Sequence, residues 1–127
     1  MTARVQNNGL ARITTALIAL NWYLQWGTGT GAAASANVVT TTSTTEARTL
    51  ATTTQQTTTV TNDTMRNVGT ITELSAGTVA ITEVGVFDAA GSGSPPTGGN
   101  MDLYGDFSAI NVSSGDSIQF TVNTKFT

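Results

Sequence analysis

The sequence predicts a mainly β protein: an antiparallel β-sandwich or jelly-roll-like domain with a short N-terminal helix or arm. Three observations carry this. About a fifth of the 127 residues are threonine, a β-branched residue that suits extended backbone. Several short apolar-alternating runs are separated by Gly, Asn, Asp and Ser turns. No strand-helix-strand alternation follows the first twenty residues. The length suits one domain with a modest core.

The first segment carries the one helical signature. Leu10, Ile13, Leu17, Leu20 and Leu24 recur at alternating three- and four-residue spacings. The pattern predicts a short helix over about Gly9–Ala19, with Asn8 as its cap. Residues 1–20 are assigned to this arm or helix and residues 21–127 to the β-sandwich. Such an apolar stripe either packs on its own domain or docks on a neighbouring subunit. On the second reading Leu10, Ile13, Leu17 and Leu20 are candidate partner contacts. The expectation adopted is that the arm attaches the protein to a partner.

Asn21–Trp26 reads as a strand ending at Gly27. The following Gly27-Thr28-Gly29-Thr30-Gly31 and Ala32-Ala33-Ala34-Ser35-Ala36 read as a flexible turn. The glycine spacing fits neither the P-loop nor the dinucleotide fingerprint, and no Lys follows. Val38–Thr61 is threonine-rich, and a long strand is expected from about Glu46 to Thr61. Asn62-Asp63 then turns the chain. Further strands are expected over Thr64–Leu74 and Thr78–Asp88, with a turn at Ser75–Gly77. In the second of these, Val79, Ile81 and Phe87 fall on one face and Val84 and Val86 on the other, as in a central strand buried on both sides. Ala89–Asn100 is a Gly/Ser/Pro loop. Met101–Ile110 follows, with Met101, Leu103, Phe107 and Ala109 on one face. After a turn at Ser113–Asp116, the last strand alternates Ile118, Phe120, Val122 and Phe126 with Ser117, Gln119, Asn123 and Lys125.

Composition narrows the function. The chain has no cysteine and no histidine. It therefore lacks the usual zinc ligands and any Ser-His or Cys-His nucleophile. Net charge is −3, and Arg4, Arg12, Arg48, Arg66 and Lys125 are scattered singly, which argues against a nucleic-acid partner. No apolar run is long enough to span a bilayer, so no membrane partner is expected. Ala16–Leu24 follows two arginines but is interrupted by Asn21 and lacks a small-residue cleavage site. The protein is read as made in the cytoplasm without processing.

The carboxylates are Glu46, Asp63, Glu73, Glu83, Asp88, Asp102, Asp106 and Asp116. Two carboxylates can hydrolyse glycosides, but that chemistry also calls for a cleft and sugar-stacking aromatics. A calcium site joining Glu83 to Asp88, Asp102 or Asp106 lacks any EF-hand-like spacing. The protein is read as no enzyme, with no metal and no cofactor. Glu83 stands in the most apolar strand, so it should be paired with Arg48 or Arg66 or lie in an intersubunit contact. The charge-poor threonine rows between Val38 and Thr61 suggest strand pairing between copies, most simply a homotrimer.

Four runs carry a resemblance. They are Trp26-Gly27-Thr28-Gly29-Thr30, Ala80–Ala89 (AITEVGVFDA), Leu103–Val112 (LYGDFSAINV) and Gly115–Val122 (GDSIQFTV). Together they resemble a family of small, uncharacterised virion structural proteins of tailed bacteriophages. The resemblance spans roughly Trp26 to the C-terminus and carries no catalytic motif. It implies a structural part of the virion. The expected role is a capsid cement or decoration protein. It would bind the outer surface of the major capsid protein and stabilise the shell. The alternatives are a tail- or fibre-associated structural or receptor-binding protein, and a carbohydrate-binding module using Trp22 and Tyr23 as a platform.

Overall fold

The computed structural model describes residues 1–29 and 44–127. One helix, α1 (Asn7–Ile18), precedes seven strands: β1 (Tyr23–Gly27), β2 (Thr49–Leu50), β3 (Thr52–Gln56), β4 (Thr64–Thr72), β5 (Thr78–Phe87), β6 (Met101–Ser113) and β7 (Ser117–Lys125). Two antiparallel sheets result, ordered β2-β1-β5-β6 and β3-β4-β7. Their inner faces form a β-sandwich. Trp22, Leu24, Trp26, Met65, Ile71, Ile81, Val84, Val86, Val112 and Phe120 fill the space between them. Phe120 of β7 meets Trp26 edge-on at 6.4 Å and Phe107 of β6 at 5.9 Å, so the two sheets interlock through aromatic rings.

The expected strand Glu46–Thr61 is not one strand. The chain changes sheets at Ala51, where β2 ends and β3 begins. This corner closes one side of the sandwich. β3 ends at Gln56, and residues 57–63 curl around the Asp63 carboxylate. Its oxygens accept hydrogen bonds from the backbone N–H groups of Thr58, Thr59 and Val60 at 2.8–3.0 Å and from the Thr64 hydroxyl at 2.8 Å. These donors, the Val60 N–H foremost, hold the Asp63 carboxyl far below the ordinary aspartate range. Threonine propensity alone does not distinguish a strand from such a loop. The part of the threonine-rich run before Thr44 and the Gly/Ala turn beyond Gly29 lie outside the described residues.

The helix begins at Asn7, with Gln6 rather than Asn8 at its N-cap and no capping side chain. Twelve uncapped residues make a marginal helix in isolation, so its stability comes from packing. Leu10 is 5% exposed and Thr14 fully buried. The Thr14 hydroxyl donates to Asn62 O at 2.6 Å and accepts from Gln55 Nε2, which also donates to Ala11 O at 2.9 Å. The Trp22 indole N–H reaches back to Leu17 O at 2.8 Å. The helix is thus fastened over β3 and the Asp63 loop.

In β5 the expected face assignment fails. Thr82 alone faces three residues of β6: Phe107, Ser108 and Ala109. This bulge shifts the side-chain phase. Val79, Ile81, Val84 and Val86 consequently all serve the core, and Phe87 turns to the outer face beneath Arg48. The same irregularity leaves Ala109 exposed on β6 and buries Val112.

Candidate assembly surface

The outer face of the four-stranded sheet is organised by Arg48. Its guanidinium lies 3.6 Å from the centroid of the Phe87 ring. Its Nε donates to Gln25 Oε1 at 2.7 Å, and its Nη1 donates to the carbonyls of Ala89 and Gly98 at 2.8 Å each. Gln25 in turn donates to Pro96 O at 3.4 Å. One buried cation therefore clamps the 88–100 loop over β1 and β5. Burial lowers the Arg48 pKa, and the nearby Asp88 charge partly offsets this. The Asn100 backbone N–H and side-chain amide hold Asp88 below its ordinary value. Sequence reasoning offered Arg48 only as a partner for Glu83 and missed this role, because its partners are backbone carbonyls and a glutamine.

Glu83 is buried, and its partners are not arginines. It accepts from the Tyr104 hydroxyl at 2.9 Å and from the Gly29 N–H at 3.1 Å. A phenol and an amide thus replace the expected ion pair with Arg48 or Arg66. Arg66 instead donates to Asn123 Oδ1 at 2.9 Å. Two more buried carboxylates, Glu46 and Glu73, brace the end of β4. Glu46 accepts from Leu74 N at 3.1 Å and the Trp26 indole at 3.4 Å, and Glu73 accepts from the backbone and hydroxyl of Ser75. Burial raises the Glu46 pKa, but its hydrogen bonds outweigh burial and hold it below the ordinary value. Among the described residues no three Asp, Glu, His or Cys side chains converge as metal ligands.

The apolar stripe of the first segment divides. Leu10 is buried, Ile13 and Leu17 are half-buried, and Leu20 is 54% exposed. The structure gathers the first three against the domain and leaves Leu20 outward. Glu83 lies on the other sheet and does not join them. Trp22 is buried with its indole N–H engaged, so it offers no exposed platform for sugar stacking.

Among the described residues, no further strand or helix closes the side opposite the Ala51 corner. β6 and β7 are edge strands of their respective sheets, joined by the short turn at 114–116. The turn is held by Asp116, whose carboxylate accepts from Ser113 N at 2.8 Å. From Phe107 to Asn123 that turn aspartate is the one charged residue. The exposed side chains there are Ser, Thr, Asn, Gln and Ala, with Ile110 at 44% exposure. Natural edge strands are usually guarded by lysine, proline, inward charge or a bulge; this stretch has none of the first three, and its one such device is the bulge at Phe107–Ala109 of β6.

Comparison with known proteins finds no family model, no curated protein and no solved structure that matches this chain.

Proposed function

We propose that this protein is a structural component of a tailed-phage virion, a cement or decoration protein on the capsid surface. It would bind the outer face of the major capsid protein and work in several copies. One observation carries the reading. Of the four runs that resemble small virion proteins, the first ends β1 with Trp26 and Gly27, and the other three lie largely on β5, β6 and β7. The first three are adjacent in one sheet, and the fourth faces them across the core through Phe107 and Phe120. The resemblance thus describes one contiguous structural unit. A compact sandwich with a charge-poor open side suits a protein that adds modest buried area many times over a shell.

Quantitative mass spectrometry of purified particles, followed by rebinding to particles lacking the protein, tests this. The expected result is a copy number comparable to that of capsid subunits and saturable rebinding that raises the temperature of particle disruption. A few copies confined to the tail would replace the capsid role by a tail role. Absence from the particle would overturn both.

A further inference from the structure

We propose that the open β6/β7 side is a self-association interface, in which β6 of one copy pairs with β7 of a second and the reverse contact closes a two-fold dimer. The proposal deepens the self-association part of the functional reading but does not depend on a virion.

The geometry begins with the placement of the two edges. β6 and β7 diverge from the 114–116 turn, one in each sheet, and therefore run in opposite directions along the same side of the sandwich. A two-fold axis parallel to the strands, set at that side, brings β6 of one copy against β7 of the other in antiparallel orientation. It does so twice. Each four-stranded sheet then continues into the partner's three-stranded sheet, and both long edges left unpaired among the described residues are satisfied.

Charge favours a second copy as the occupant. A rotation about that axis preserves each residue's level along the strands. Near the turn, the neutral stretch Ser108–Ser113 would face the neutral stretch Ser117–Asn123. At the far end, β6 carries Asp102 and Asp106, both exposed. Lys125 stands at the same end of β7, and Arg66 lies beside it on β4, which pairs Thr64 with Lys125. Asp106 pairs with Glu83, whose neighbours Val84 and Val86 point inward, so Asp106 stands on the outer face. Lys125 also points outward, since Ile118, Phe120 and Val122 point inward. The joined sheets therefore present the aspartates of one copy and the cations of the other on one continuous face. Pairing β6 with β6 would bring no cation to the aspartates. Partial desolvation and then the nearby Asp88 charge push the Asp102 pKa upward, and an incoming cation would offset that repulsion. Exposed Ile110 gains apolar cover in the same contact. Two copies, rather than the three expected from the threonine-rich run, keep the sheets continuous without a sharp bend.

The test is analytical ultracentrifugation of the full chain across a concentration series, with Lys125→Glu, Asp106→Lys and the double swap. Thermal melts at low concentration verify that each variant folds. The wild type should sediment as a dimer. Each single reversal should weaken association roughly tenfold, and the double swap should restore it. Ile110→Lys should leave a folded monomer. A folded monomer for the wild type throughout the series, a trimer, or single reversals without effect would overturn the proposal.

Discussion

The two sides of this sandwich differ in how the chain treats its own edges. On one side, β2 passes directly into β3 at Ala51, α1 lies over β3, and the Asp63 loop ties the helix to β4. On the other, β6 and β7 run long and parallel to solvent with little charge. The closed side spends its polar groups internally. Thr14, Gln55 and Asp63 hydrogen-bond within the fold. On the open side Ser113, Ser117 and Asn123 bond to neighbours within their own sheets, and Ser108, Asn111, Gln119 and Thr121 are exposed, where water or another chain can satisfy them. On the proposed reading stability and association fall on opposite sides, and substitutions should separate them.

The largest effect is expected at Leu10. Leu10→Ala should cost about 2–5 kcal/mol in chemical denaturation, the range for emptying a buried leucine site. An effect below about 0.5 kcal/mol, within the usual scatter for surface substitutions, would mean that the helix is not fastened to the domain. That result would return the first segment to the role of a free attachment arm.

Asp63→Asn should act on the same side with a pH signature. Its carboxyl titrates below the ordinary aspartate value near 3.8 in the folded protein, so it stabilises the fold above that value. The contribution disappears as pH falls towards the folded pKa. The melting temperature of Asp63→Asn should therefore lie below wild type at neutral pH, and the gap should close in acid. A gap independent of pH would assign the loss to packing rather than to the carboxylate.

Much of the fold was legible in the sequence where turns are marked. The strands β4 to β7 begin and end close to their Gly, Asn, Asp and Ser punctuation, and the alternation of Ile118, Phe120 and Val122 is seen in β7. The failures have physical causes. Threonine suits a strand and a hydrogen-bonded loop alike, so residues 46–61 concealed both the sheet change at Ala51 and the loop around Asp63. The face assignment in β5 broke because the bulge opposite Thr82 lies in the pairing with β6, and local periodicity carries no trace of it. The helical stripe was visible, but spacing alone does not reveal which surface it meets. Glu83 was flagged by its apolar neighbours, yet its partners, Tyr104 and Gly29, are a phenol and a backbone amide that charge matching does not find.

Hydrogen exchange measured at several protein concentrations tests the division between the two sides most directly. Pairing protects outward-pointing edge amides only when copies meet. The account predicts that amides in Ser108–Ser113 and Ser117–Asn123 become slower to exchange as concentration rises. Those of α1, β3 and the Asp63 loop should not change. Concentration-dependent protection confined to α1, or none at either edge strand, would contradict it.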